Sequence, residues 1–106
     1  MQPIIVTTTC DSKEAAETIA KRVLEKRLAA CVQVSGPVES SYWWKQAIAV
    51  DKEYKIQMKS ENSLFLRLSK VIREVHPYEV PEIIATEICA IDDDYLAWMK
   101  QELMAS

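Results

Sequence analysis

A short segment that alternates apolar and polar side chains constrains the fold most strongly. From Glu53 to Ser60, the apolar residues Tyr54, Ile56 and Met58 occupy every second position, and charged or amide groups stand between them. Successive side chains of a β-strand point to opposite faces of the sheet, so this pattern predicts a strand with one apolar face. The chain therefore needs other elements that cover that face.

The rest of the chain predicts three further strands and three helices around this segment. Apolar residues at helical spacing predict one helix from about residue 12 to residue 28 and a second that Pro77 stops. A third helix is predicted to end near Leu103. Residues rich in Ile, Val and Thr predict the other strands, at 3–9, at 29–34 with a continuation over 38–44, and at 83–89.

Capping residues and one bend mark the boundaries of these elements. Asp11, followed three residues later by Glu14, resembles a capping box at the start of the first helix. Asn62 or Ser63 is predicted to cap the second helix. Gly36-Pro37 predicts a bulge or bend in the second strand. The last helix is predicted to start at one of three successive aspartates: Asp92, Asp93 and Asp94.

The resulting element order is βαββαβ followed by a helix. This order predicts an α+β, ferredoxin-like fold in which a four-stranded antiparallel sheet carries helices on one face. A chain of 106 residues that is 49% hydrophobic suits one core, so we expect a single domain over residues 1–106.

Composition argues against several classes of function. Sixteen acidic and thirteen basic residues give a net charge of -3, which disfavours a nucleic-acid binder. A single glycine disfavours a glycine-rich phosphate loop. The sequence shows no apolar run of membrane-spanning length and no signal-peptide pattern, so we expect a cytoplasmic protein that binds no membrane. Three widely spaced cysteines fit reduced thiols in a reducing compartment.

Two adjacent tryptophans predict an oligomer. Trp43 and Trp44 are consecutive in a predicted strand, so their rings point to opposite faces, and only one face has helices of the same chain to cover it. The second indole then needs another subunit, and so do the open edges of the long strands. The alternative is that one tryptophan is simply half exposed.

The chain's only histidine lies in a stiff connector, which we call the strap and which runs from His76 to Glu82. Pro77 and Pro81 fix their own φ angles and favour extended backbone at the residues before them. The strap also carries Tyr78 and Glu79. A rigid segment that holds an imidazole is a candidate site for a ligand or a metal.

Five blocks in the order and spacing of one family make the chain resemble the CutA proteins. They are Arg27-Leu28-Ala29-Ala30-Cys31-Val32, Ser41-Tyr42-Trp43-Trp44, Glu53-Tyr54-Lys55-Ile56-Gln57-Met58-Lys59, His76-Pro77-Tyr78 with Pro81-Glu82-Ile83, and Tyr95-Leu96-Ala97-Trp98. The resemblance covers essentially the whole chain. It implies tolerance to divalent cations, and a ferredoxin-like protomer that forms a homotrimer through long β-hairpins, as in the PII signal proteins.

The resemblance also implies a metal site, with two departures in this chain. Some CutA proteins are described as binding copper through a cysteine near the end of the first strand and a histidine pair in the strap. Here Thr8 stands at the cysteine position, Cys10 follows two residues later, and Val75 replaces the first histidine. We therefore predict weak binding of a divalent metal, copper above others, at a trimer cleft through His76, Cys10 and Glu79. The alternative for His76 is a hydrogen-bonding residue at a helix end.

A binding protein is predicted rather than an enzyme. One histidine offers the only ordinary general base, and Cys31, flanked by alanines in a strand, is expected to be a buried, inert thiol. The second hypothesis is a PII-like signalling or scaffold protein that binds a small ligand or a protein at the subunit clefts. In that case Tyr78, Glu79 and Glu82 would line the cleft.

Overall fold

The computed structural model describes residues 1–105, and its elements follow the predicted order. The helices are α1 (Lys13–Glu25), α2 (Phe65–Val75) and α3 (Asp93–Glu102). The strands are β1 (Pro3–Cys10), β2 (Cys31–Trp44), β3 (Ala47–Glu61) and β4 (Ile84–Glu87). They form one antiparallel sheet in the order β2-β3-β1-β4, which confirms the ferredoxin-like α+β fold.

The core lies between one face of this sheet and the helices. The alternation predicted in β3 is confirmed, because Ile56 and Met58 are buried and pair in register with Thr8 and Val6 of β1. Burying a side chain of this size stabilises the fold by about 1.5–3 kcal/mol. The buried residues that the helices contribute include Ile19, Val23, Leu68, Ile72 and Met99.

Helix α1 is shorter than predicted, and a different residue caps it. It ends at Glu25 rather than near residue 28, because Arg27 has a φ of 55° in the left-handed region, which a helix cannot continue through. At the other end the Ser12 side chain, not that of Asp11, accepts the hydrogen bond from the Ala15 N–H at 3.1 Å. The capping box predicted from Asp11 is therefore wrong.

Helix α2 also starts differently, whereas α3 starts as predicted. A 3-10 turn over Asn62–Leu64 leads into α2, and neither Asn62 nor Ser63 caps it through a side-chain hydrogen bond. At α3 the Asp92 carboxylate accepts hydrogen bonds from the N–H groups of Asp94 and Tyr95, so this predicted cap is confirmed. The strand predicted at 83–89 is shorter in the structure, where β4 has only four residues.

The β2-β3 hairpin extends far beyond the rest of the sheet. Strand β3 begins at Ala47, not at Glu53 as predicted, and its last pair with β1 is Tyr54 with Cys10. The register of β2 on β3 shifts between Ser35 and Val38, which confirms the predicted bulge. Gly36 has a φ of +136° there, and a Cβ on it would lie 3.0 Å from the Glu53 carbonyl oxygen. Residues 38–53 thus form a two-stranded ribbon.

Both tryptophans lie on this ribbon and both are exposed. Trp43 is 74% exposed and Trp44 is 54% exposed. The expectation that helices of the same chain cover one of the two faces is wrong here, because the ribbon runs beyond the part of the sheet that packs on the core. Neither indole is buried within the chain.

Candidate functional site

The strap begins where α2 ends. His76 is the first residue after the helix, and its N–H donates a 2.9 Å hydrogen bond to the Ile72 carbonyl. Its backbone is extended, with φ −75° and ψ 135°, as Pro77 predicts. The imidazole is thereby directed back toward the end of β1.

The His76 ring is buried and both of its nitrogens are hydrogen-bonded. Nδ1 accepts the Tyr78 N–H at 3.0 Å, so the ring proton is on Nε2, which donates to the Thr9 carbonyl at 2.8 Å. The ring is 8% exposed, and burial lowers the pKa of His76 below its ordinary value. A neutral imidazole therefore holds the strap to β1, which is the hydrogen-bonding role that the sequence left open.

Cys10 lies on the core side of β1, on the same face as Thr8. Its side chain is buried, and Sγ donates to the Ser12 carbonyl at 3.3 Å. Burial raises the pKa of the Cys10 thiol, which favours the protonated form. Thr8 is also buried, and its Oγ1 has no hydrogen-bond partner among residues 1–105.

The other two cysteines are free thiols, as Cys10 is. Cys31 is partly exposed at the start of β2, so the expectation that it is buried is wrong. Its neighbour is Tyr95 of α3, whose pKa is raised mainly by desolvation. Cys89 is exposed.

Tyr78 connects the strap to the hairpin. Its ring lies 4.8 Å from the His76 ring, centroid to centroid, and its hydroxyl donates a 2.6 Å hydrogen bond to Oε2 of Glu53. The pKa of Tyr78 is raised far above its ordinary value. Desolvation is the main cause, and this hydrogen bond to a carboxylate is the second. Glu53 is itself only 7% exposed.

A groove of about 650 Å³, which we call the strap groove, opens between the strap and one face of the ribbon. Tyr78, Glu79 and Glu82, which the second hypothesis assigns to a cleft between subunits, all line this groove within one chain. The remaining lining residues are Thr9, Ser40, Ser41, Tyr42, Trp44, Glu53 and Val80. Sequence reasoning missed Glu53 as a site residue, although its place on the polar face of the alternating strand was a usable signal.

The structure does not bring the predicted metal ligands together within one chain. Nowhere in residues 1–105 do three His, Cys, Asp or Glu side chains lie close enough to hold a metal ion. Both His76 nitrogens already have partners, and the Cys10 thiol is in the core. Glu79 is exposed in the groove. The metal set of His76, Cys10 and Glu79 stays a prediction that depends on assembly.

Comparison with known sequences gives consistent results. The family described as "CutA1 divalent ion tolerance protein" matches residues 4–102. "Divalent-cation tolerance protein CutA" of Thermus thermophilus is 37% identical over 97 residues, which cover 92% of this chain and 94% of that protein. "Protein CutA" of Mus musculus is 42% identical over 93 residues, 88% of this chain but 52% of the mouse protein. The chain thus spans about half the length of the mouse and human relatives.

Solved structures resemble the whole chain. The crystal structure of CutA1 from Oryza sativa superposes with a TM-score of 0.97 at 34% identity, and covers 100% of this chain and 97% of that one. The divalent cation tolerance protein of Thermus thermophilus gives a TM-score of 0.94 at 35% identity, with 96% and 99% covered. The long hairpin and the C-terminal helix are therefore features that the chain shares with these proteins.

The relatives carry names from different compartments. Proteins of Oryza sativa and Arabidopsis thaliana are named chloroplastic, and a structure from Archaeoglobus fulgidus is named periplasmic. Within residues 1–105, the helices are too short or too polar to cross a membrane. The cytoplasmic location stays a prediction.

The matched family and these relatives are named for divalent-cation tolerance or simply as CutA, and not for a catalysed reaction. The match extends over nearly all of the described residues, from β1 to the end of α3. The chain therefore belongs to the CutA1 divalent ion tolerance protein family.

Proposed function

We propose that this protein is a homotrimer that supports divalent-cation tolerance by binding rather than by catalysis. Assembly is supported by the exposure of three large apolar side chains on one face of the ribbon. Trp43, Ile48 and Val50 are 74%, 65% and 55% exposed. Trp43 pairs directly with Ile48, so these side chains form one apolar patch. A two-stranded hairpin is only marginally stable alone, and a contiguous apolar patch is typical of an interface.

The number of subunits follows from the family resemblance, which implies a trimer built through the hairpins. In such an assembly the ribbon of one subunit packs against its neighbour, and the apolar patch leaves water. The strap groove lies on the opposite face of the ribbon, because Tyr42 and Trp44 alternate with Trp43 along β2.

For the cation we propose copper, bound weakly at a cleft between subunits through His76, Cys10 and Glu79. Thiolate sulfur suits Cu(I), and imidazole suits both copper states. Glu79 is the ligand that this chain already exposes, whereas His76 would have to give up one ring hydrogen bond and Cys10 its burial. These rearrangements oppose binding, so a weak site is expected.

Titration of the reduced protein with Cu(I) and with Cu(II) tests this proposal, with His76→Ala, Cys10→Ser and Glu79→Gln measured alongside. Glu17→Gln is a suitable control, because Glu17 is exposed on α1, away from the ribbon, and does not line the groove. Saturable binding that each of the three changes weakens, and the control does not, would support the ligand set. Copper binding that none of the three changes weakens would show that these residues are not the ligands.

A second candidate function is the binding of a small molecule in the strap groove, as in a PII-like signalling protein. Its volume of about 650 Å³ lies within the range of roughly 300–1,000 Å³ that is typical of small-molecule sites. Its walls combine three aromatic rings with hydroxyl and carboxyl groups, which could orient a polar ligand. Neither His76 nor Cys10 lines this groove. Binding of a ligand there would therefore be insensitive to Cys10→Ser.

A further inference from the structure

We propose that the strap groove binds a primary alkylammonium ion. The Glu53 carboxylate would accept a hydrogen bond from the ammonium group, Glu79 and Glu82 would add negative charge to the groove, and the rings of Tyr42 and Trp44 would pack against the carbon chain. This inference deepens the second candidate function and rests on it. It shares Glu79 with the proposed copper site but involves neither His76 nor Cys10.

The charge of the groove supports this assignment. Three of its lining residues are acidic and none is basic. Glu53 is 7% exposed, yet within residues 1–105 the only ion pair is Arg27 with Glu102, so no cation compensates the Glu53 carboxylate. A buried carboxylate without a cationic partner is costly, and a bound ammonium group would supply that partner.

Glu53 also has an unused oxygen. The single hydrogen bond that the described residues make to its carboxylate is the one from the neutral Tyr78 hydroxyl to Oε2. Oε1 has no donor among the described residues, and the residue lines the groove. An ammonium group can donate a hydrogen bond to Oε1, and the negative charges of the two exposed carboxylates that line the groove would attract it.

The aromatic lining favours an ammonium ion over a bare metal ion. Indole and phenol rings attract organic cations through their faces, and neither is among the usual ligands of divalent metals such as zinc or copper. Trp44 already shows this preference, because the Lys45 ammonium lies 5.9 Å from its ring centroid. The groove is also far larger than a metal ion, and its carboxylates do not converge on one point within the described residues.

The test is titration of the metal-free protein with n-butylammonium and with 1,4-diaminobutane. Binding is measured by calorimetry and by the NMR signal of the Trp44 indole N–H. Butanol and butyrate serve as neutral and anionic probes of matched size. We expect saturable binding of the two amines, a shifted Trp44 signal, and no saturable binding of butanol or butyrate. Equal binding of butanol, or no saturable binding of either amine, would overturn the proposal.

Substitutions locate the site. Glu53→Gln keeps the acceptor for Tyr78 but removes the charge, and should weaken amine binding about tenfold or more. If this variant does not fold, the double change Glu79→Gln, Glu82→Gln carries the test, since both residues are exposed. Glu17→Gln, at an exposed position on α1, is the matched control. Unchanged affinity in the charge-removing variants would refute the assignment, and the oligomer mass measured in the same samples separates this failure from a failure of assembly.

Discussion

The hydroxyl of Tyr78 donates a 2.6 Å hydrogen bond to Oε2 of Glu53, and this contact joins the strap to the hairpin. Residues 25 positions apart in the chain are thereby held together at the edge of the groove. Glu53 is almost completely buried, and this is the only hydrogen bond that its carboxylate accepts among residues 1–105. Together with the hydrogen bond from His76 to the Thr9 carbonyl, it ties the strap to the sheet.

Replacing Tyr78 with Phe should therefore destabilise the protein. The change leaves a buried carboxylate without its donor, which costs about 1–3 kcal/mol. Tyr42→Phe is the matched control, because Tyr42 donates to Asp51 in an exposed pair, and its loss should cost less than about 0.5 kcal/mol. Urea unfolding of both variants measures the difference. Equal stability of the two would show that the strap does not depend on the Tyr78 contact.

The stability of the protein should fall in mild acid because of His76. Burial lowers its pKa from 6.5, so the folded chain binds fewer protons at this site than the unfolded chain does. The contribution is complete above about pH 6.5 and is lost as the pH falls below that value. Protonation would also remove Nδ1 as the acceptor for the Tyr78 N–H.

Chemical unfolding between pH 8 and pH 5 measures this effect, with His76→Gln as the variant that cannot titrate. The hydrogen bond to the Thr9 carbonyl, followed by the charges of Asp11 and Glu53, opposes this lowering of the His76 pKa in the wild type. We expect the wild type to lose more stability than His76→Gln over this range, although the variant is less stable at pH 8. Parallel pH profiles would contradict the assignment of a depressed pKa.

The unpaired hydroxyl of Thr8 predicts a stabilising substitution. Oγ1 is buried without a hydrogen-bond partner among the described residues, so Thr8→Val removes a desolvated polar group at nearly constant shape. The expected gain is roughly 1 kcal/mol in the free energy of unfolding. Thr8→Ala is the comparison, because it removes the same hydroxyl but leaves a cavity. Thermal unfolding in which Val is less stable than Thr would show that the hydroxyl is satisfied in solution.

Much of the fold was predictable because it follows from local patterns. The alternation of Tyr54, Ile56 and Met58 identified β3 and its buried face, and the aspartates before Tyr95 identified the start of α3. The wrong predictions concern element boundaries at which local sequence signals compete or are absent. Asp11 and Ser12 are both good caps, and only the backbone geometry decides between them. The left-handed conformation of Arg27, which ends α1, has no signal in its residue type.

The site was predictable only in part, for a similar reason. The strap was evident from its prolines, and Tyr78, Glu79 and Glu82, which were expected at a cleft between subunits, line one groove within the chain. The pairing of Tyr78 with Glu53 depends on how far β3 extends and on its register, and neither can be obtained from the strap sequence. The hydrogen bonds that occupy both His76 nitrogens were likewise not evident, because Thr9 contributes a backbone carbonyl.

The apolar face of the ribbon leads to the prediction that bears most directly on function. Trp43→Ser should weaken assembly by at least about 2 kcal/mol per interface, the usual cost of losing a central tryptophan. Leu66→Ser is the control, because Leu66 is 80% exposed on α2 and lies outside the ribbon.

The decisive measurement is the mass of the protein in solution, by native mass spectrometry and light scattering over a range of concentrations. The proposed account predicts a wild-type mass three times that of the 12.1 kDa chain, retained by Leu66→Ser and lost at low concentration by Trp43→Ser. A wild-type protein with the mass of one chain, or a Trp43→Ser trimer as stable as the wild type, would contradict assembly through the ribbon.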